Sequence, residues 1–193
     1  MLFRSGTFTA AGILGSNGTS TPDLIAGPNG GNISGSALAG ATLVSSSVGD
    51  ATTDNSTATI SASTINGIQD VNLTGGQVGT NTISGLGVGQ FDTTATSVKG
   101  NANGSSTISV GGIIDTAGAA GTINTAGGVN AIARLSNTVT ASSVAGSATA
   151  LASSDAVGLR GYNVNIIGSG SLFAGGHANS TSTATSVAGA ASA

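Results

Sequence analysis

The chain has 193 residues, of which only four are basic and seven acidic, with one His, for a net charge of −3. So little positive charge excludes a nucleic-acid surface, and the absence of Cys excludes disulfides and thiolate metal sites. Gly accounts for 33 residues and most remaining polar residues are Ser, Thr and Asn, which excludes long helices; two Pro exclude collagen, and a mean hydropathy of +0.31 at low net charge argues against disorder.

Small residues suit a backbone that turns often and stacks neighbouring passes about 4.8 Å apart. Stacked Thr, Ser, Asn and Val side chains support one another there, whereas stacked like charges repel. The acidic residues are all Asp, and no run of eighteen apolar residues occurs, so no membrane span is expected.

Residues 1–31 read as an N-terminal cap or connecting arm; they hold both prolines, Pro22 and Pro28. Met1–Phe8 lacks the continuous apolar core of a signal peptide. Phe3 and Phe8 share one side of an alternating stretch only if a bulge intervenes.

Residues 32–193 read as solenoid repeats. Branched apolar residues return about every twenty-four positions in two interleaved series: Ile33, Ile60, Ile83, Ile108, Ile132, Val157, and Ile25, Val48, Leu73, Val98, Ile123, Val144, Ile167, Val187. Thr59-Ile60-Ser61, Thr82-Ile83-Ser84 and Thr107-Ile108-Ser109 place Ile inward and its neighbours outward. A longer element recurs at 94–100, 140–146 and 183–189, each carrying Ser-Val-x-Gly. Asn-Gly and Gly-Gly pairs at Asn17, Asn29, Asn66, Gly75, Asn103, Gly111 and Gly127 predict turns with positive φ. The predicted fold is all-β: a single parallel β-solenoid of about seven or eight coils, roughly 24 residues each, forming a rod of roughly 35–40 Å.

Asp70-Val71-Asn72-Leu73-Thr74-Gly75-Gly76 and the segment from Tyr162 to Gly176 resemble repeats of β-helical bacterial surface proteins of the filamentous-haemagglutinin type. The resemblance implies an exported bacterial β-helix with an adhesive or structural role, at the cell surface or outside the cell.

Catalytic chemistry is not expected, nor any cofactor. His177, in Gly175-Gly176-His177-Ala178-Asn179, reads as a solvated corner residue. Asp70, Asp92 and Asp115 lie one predicted coil apart and read as turn aspartates that drift around the coil; a weak Ca²⁺ site is the alternative, and Asp50 and Asp54 invite the same two readings. Gly85-Leu86-Gly87-Val88-Gly89 lacks the Lys and the strand–helix context of a phosphate loop and reads as a tight turn. Thr-x-Thr pairs begin at Thr19, Thr57, Thr94, Thr138, Thr181 and Thr183. An ice-binding face would need such a pair in every coil, and against a 24-residue coil these skip, so they read as ordinary strand threonines.

The last residues repeat the internal element with no charge and no proline to block pairing of a strand edge. The expected function is therefore structural: an extracellular protein that joins head to tail with copies of itself through its solenoid ends. Leu2, Phe3, Phe8, Ile13, Thr183, Thr185 and Val187 are the candidate joint. The alternative is an adhesin or virion-fibre module that recognises a glycan or surface, with Tyr162, His177 and Arg160 as a candidate patch.

Overall fold

The alternating small-residue runs become strands in a computed structural model that describes residues 2–15, 23–26, 31–49, 54–76, 81–117 and 120–193. In chain order they are β1 (Leu2–Gly6), β2 (Thr9–Leu14), β3 (Asp23–Ile25) and β4 (Ile33–Ser47); then β5 (Ser56–Gln69), β6 (Asn72–Thr74) and β7 (Thr82–Ser97). They continue as β8 (Ala102–Ile114), β9 (Gly121–Thr125), β10 (Gly128–Ser143), β11 (Ala148–Arg160), β12 (Tyr162–Ile166), β13 (Leu172–Ser186) and β14 (Ala191–Ser192). All pairings are parallel and build three sheets: sheet I from β1 and β2, β5, β8, β11 and β14; sheet II from β3, β6, β9 and β12; sheet III from β4, β7, β10 and β13. The chain passes through I, II and III in that order four times and re-enters sheet I at β14. This is an all-parallel, three-sheet architecture of solenoid type. The segment 1–31 contributes β1 to β3, which pair with β5 and β6 as the first layer of sheets I and II.

The strand registers revise the expected coil. Paired residues lie between 41 positions apart, as in Ile123 and Val164, and 55 apart, as in Ile13 and Ile68. A spacing of about twenty-four is thus half a turn, not a whole one. Of the first apolar series, Ile33, Ile83 and Ile132 fall in sheet III, and Ile60, Ile108 and Val157 in sheet I. The second series alternates between sheet II or its edge and the opposite corner, where Val48, Val98, Val144 and Val187 each follow a sheet III strand. Both long sheets alternate inward and outward residues in the same manner, so each half-turn resembles the other in sequence. Among the described residues the strands fall in four layers, which at about 4.8 Å each span roughly 15–20 Å, shorter than the expected rod.

Sheets I and III face each other, and glycine sets their separation. One glycine per layer of sheet I, at Gly12, Gly67, Gly112 and Gly158, lies against the sheet III backbone at Ser36, Leu86, Ile132 and Gly175, which are themselves one column of sheet III. A Cβ on Gly112 would lie 2.5 Å from the Ile132 amide nitrogen. From the other side, Gly85 and Gly87 abut the carbonyls of Gly112 and Gly111. The contact divides the core. On the sheet II side pack Ile33, Ile68, Leu73, Ile83, Ile113, Ile123 and Val129; beyond it pack Ile60, Ile65, Phe91, Ile108, Val110 and Leu135. At the corner after sheet III the buried residues are small, among them Ala58, Ala95, Ala102, Val139 and Ala141, with Leu43 packed against them.

The expected turns at Asn66-Gly67, Asn103-Gly104 and Gly111-Gly112, and the expected tight turn over Gly85–Gly89, are strand interiors instead. These glycines are present because no side chain fits, not because φ is positive. Among the described residues positive φ occurs at Asp70, Gly161 and Gly168. Asn17, Asn29, Pro22, Pro28, Thr19, Thr21 and Asp50 lie outside the described residues.

The Ser-Val-x-Gly element ends β7, β10 and β13. The buried Ser143 hydroxyl donates to Gly100 O at 2.8 Å in the preceding layer and accepts from the Gly146 amide at 2.8 Å. Ser186 repeats this with Gly146 O and the Gly189 amide, and Ser97 donates to Asp54 O. Next to it, Asn55 Oδ1 accepts the Asn101 amide and Asn101 Oδ1 accepts the Ser147 amide, so side chains continue the ladder around the corner.

Replacing Gly112 by Ala is expected to cost at least about 2 kcal/mol, because backbone blocks the new methyl group. Gly128→Ala, where the Cβ meets nothing nearer than 3.4 Å, is expected to stay within about 0.5 kcal/mol of the parent. Chemical denaturation of the two variants measures the contrast.

Candidate functional site

Sheet III presents the most regular surface of the molecule. Its strands pair without a register shift from Ile33 to Ser47, Thr82 to Ser97, Gly128 to Ser143 and Leu172 to Ser186. Odd-numbered residues of β7 and β10 face the core, so even-numbered ones form outward columns across the layers. Two zones result.

The first zone is apolar and shallowly indented. Leu38, Val88, Arg134 and His177 form one column, and Ser36, Leu86, Ile132 and Gly175 the next. The indentation is lined by Ile132, Arg134, Phe173, Gly175, Gly176 and His177, where glycine leaves backbone uncovered. Phe173 is 60% exposed beside it. His177 is therefore a mid-strand residue in register with Arg134, not a corner residue.

The second zone is nearly all hydroxyl. Its three columns are Thr42, Asp92, Thr138 and Thr181; Val44, Thr94, Thr140 and Thr183; and Ser46, Thr96, Ser142 and Thr185. Because a turn takes 43 to 50 residues here, the Thr-x-Thr pairs Thr94/Thr96, Thr138/Thr140, Thr181/Thr183 and Thr183/Thr185 fall in three successive layers, with no layer skipped between them.

The candidate patch of Tyr162, His177 and Arg160 does not assemble. Arg160 ends β11 and makes an ion pair with Asp155 at 3.7 Å, with both side chains about half exposed (52% and 55%), an arrangement of small energetic value. Tyr162 starts β12 and turns inward: its hydroxyl donates to Val71 O at 2.9 Å and accepts from the Val71 amide at 3.3 Å.

The aspartates separate likewise. Asp92 stands on the sheet III face, while Asp70 and Asp115 follow the in-register residues Gln69 and Ile114 at the corner between sheets I and II. These two stack instead of drifting around the coil. Asp70, at φ 53°, accepts the Thr116 amide at 2.6 Å and its hydroxyl at 3.0 Å; Asp115 Oδ1 accepts the Ala117 amide at 2.8 Å, and its Oδ2 is buried without a partner. No group of three or more His, Cys, Asp or Glu suited to a metal occurs among the described residues.

The candidate joint residues fall at opposite ends of the stack. Leu2 and Phe3 lie in β1, Phe8 just before β2 and Ile13 within it, all in the first layer of sheet I; Thr183 and Thr185 lie in β13, the last layer of sheet III, and Val187 follows it. Phe8 is partly buried, its ring centroid 5.9 Å from that of Phe91. The two strands are separated at Thr7 and Phe8, where the register of the facing β5 against β8 also shifts. The structure contains no helix long and apolar enough to cross a membrane among the described residues. Compared with protein-family models, with curated proteins and with solved structures, the chain matches none.

Burial pushes the Tyr162 pKa up from 10.0 to about 12; the Val71 backbone contact opposes the shift, and Asp115 and Asp70 add to it. The fold then holds the phenolic proton more tightly than the unfolded chain does. This contribution to stability is complete below pH 10 and is lost as pH rises toward about 12. As Tyr162 is the sole tyrosine, tyrosinate absorbance is expected to titrate near 12 in the native protein and near 10 in denaturant.

Proposed function

We propose that this chain is a structural module of the cell exterior, in a bacterium, that lengthens by pairing end to end with copies of itself. The observation that carries the proposal is the pair of free edges in sheet III. β4 and β13, 15 residues each, both have a single neighbouring strand among the described residues. Unpaired edges of this length are templates for further strands, and neither carries a Lys, a Pro or a bulge that would oppose pairing.

Extending the ladder by one more layer sets β13 of one copy on β4 of the next. Leu172 then covers Ile33, Thr181 meets Thr42 and Thr183 meets Val44, and no like charges face each other. The core column indicates what the contact gains. Ile83 and Val129 are 0% and 2% exposed, whereas Leu172, in the same column at the end of the stack, is 48% exposed. In sheet II, Val164 meets Leu24; in sheet I, β14 covers only Ala148 and Thr149, leaving the rest of β11 for β1 and β2. This contact does not close on itself and so yields a filament. Within the expected joint, Thr183 and Thr185 face β4 and Ile13 meets β11, whereas β14 already holds Ala148 and Thr149, the seats that Leu2 and Phe3 would take.

A second reading, a glycan-binding adhesin or virion-fibre module, draws support from Phe173 beside Arg134 and His177. An exposed ring next to hydrogen-bond donors is a common footing for a sugar. Saturable glycan binding that His177→Ala and Phe173→Ala abolish would favour it.

For the filament reading, electron microscopy across a concentration series is expected to show fibres with an axial subunit repeat of roughly 20 Å, four layers at strand spacing. Ala174→Asp combined with Ala178→Asp puts charge on the inward side of the β13 edge and is expected to leave discrete particles. Discrete particles from the parent chain at every concentration would exclude self-assembly.

A further inference from the structure

We infer that the hydroxyl zone on the outer face of sheet III binds the surface of ice. Of the twelve positions in its three columns, eight are Thr and two are Ser, against one Asp and one Val. None of the threonine hydroxyls in this zone is engaged in a hydrogen bond within the chain among the described residues. Each is left for something outside.

The arrangement of these groups selects the partner. Layers are spaced about 4.8 Å apart and alternate residues along a strand about 6.6 Å apart, and the unbroken register keeps these spacings across the zone. The result is a regular net of hydroxyl and methyl groups with two fixed repeats, both near oxygen repeats of hexagonal ice. A glycan or a protein groove calls for unlike groups that converge on one place. A surface of one repeating chemistry fits a partner that is itself repeating.

Rigidity supports the same assignment. The zone is backed by buried Ala95, Val139 and Ala141, and Thr is stiff at χ1, so the net is set before it meets its partner. Its methyl groups give water no hydrogen-bonding choice, while its hydroxyls fix the water they hold. The outer face of sheet I lacks this order: its columns mix Thr57, Asn103 and Thr149, then Thr59, Ser105 and Leu151, and Ser105 donates to Thr59 at 3.2 Å. That face serves as an internal control. The inference is independent of end-to-end assembly, since the net lies on the side of the stack and is complete in one chain.

The test is the partition of fluorescently labelled protein into slowly growing ice, together with inhibition of ice recrystallisation. Three proteins are compared: the parent chain, Thr140→Lys at the centre of the net, and Ser105→Lys on sheet I. The parent and Ser105→Lys are expected to enter the ice and arrest recrystallisation, while Thr140→Lys loses most of both effects with an unchanged circular dichroism spectrum. Thr94→Lys, in the same column and away from the proposed joint, replaces Thr140→Lys should the latter fail to fold. Exclusion of the parent from ice would overturn the inference. So would equal behaviour of the sheet III and sheet I variants, or a Thr140→Lys effect confined to sedimentation, which would make the face a contact between copies.

Discussion

The closest approach of two backbones governs this fold. Sheets I and III touch along the column of Gly12, Gly67, Gly112 and Gly158, where any Cβ would strike the opposite strand. Sheets packed through side chains stand about 10 Å apart, so a glycine line draws them far closer than usual. The contact forces the cross-section to be long and thin, with an Ile-rich lobe at sheet II and a lobe around Phe91 beyond the line. Sheet III runs beside it in strands of 15 to 16 residues that pair without a register shift, and the regular outer face follows from this.

Much of the architecture is legible in the sequence. The β-solenoid class follows from small polar residues, few charges and recurring apolar positions, and the inward placement of Ile60, Ile83 and Ile108 follows from alternation alone. The length of a turn does not follow. Sheets I and III both bring branched residues inward in every layer, and only strand pairing distinguishes a half-turn from a whole one. A glycine that admits a neighbouring backbone looks the same in sequence as one that permits a positive φ, so Gly67 and Gly112 read as turns. Their recurrence after 55, 45 and 46 residues, starting from Gly12, was the available signal.

Correcting the period changes the reading of the surface. Against a 24-residue coil the threonine pairs look sporadic; against the observed registers they fall in successive layers and share the column of Thr94, Thr140 and Thr183. It also brings Asp70 and Asp115 to one corner and sends Asp92 to another sheet. End-to-end growth and a patterned lateral face are compatible properties of one body, because the ends expose strand edges and the sides expose side chains. A filament of such modules would repeat the hydroxyl net along its length, which raises the effective concentration of the net at an extended partner.

Both functional proposals rest on the length of one turn, and the most direct measurement of it uses engineered cysteine pairs, since the chain has none of its own. Thr94 and Thr140 are cross-strand partners, within the Cα separation of about 4.4–6.8 Å that a disulfide requires. Cysteines at these two positions are predicted to link rapidly on mild oxidation or with a short bifunctional reagent, whereas cysteines at Thr94 and Ala117, 23 positions apart, are predicted not to link. Linkage of the 94–117 pair without the 94–140 pair would contradict the account, restoring a short coil and removing both the threonine net and the sheet III joint.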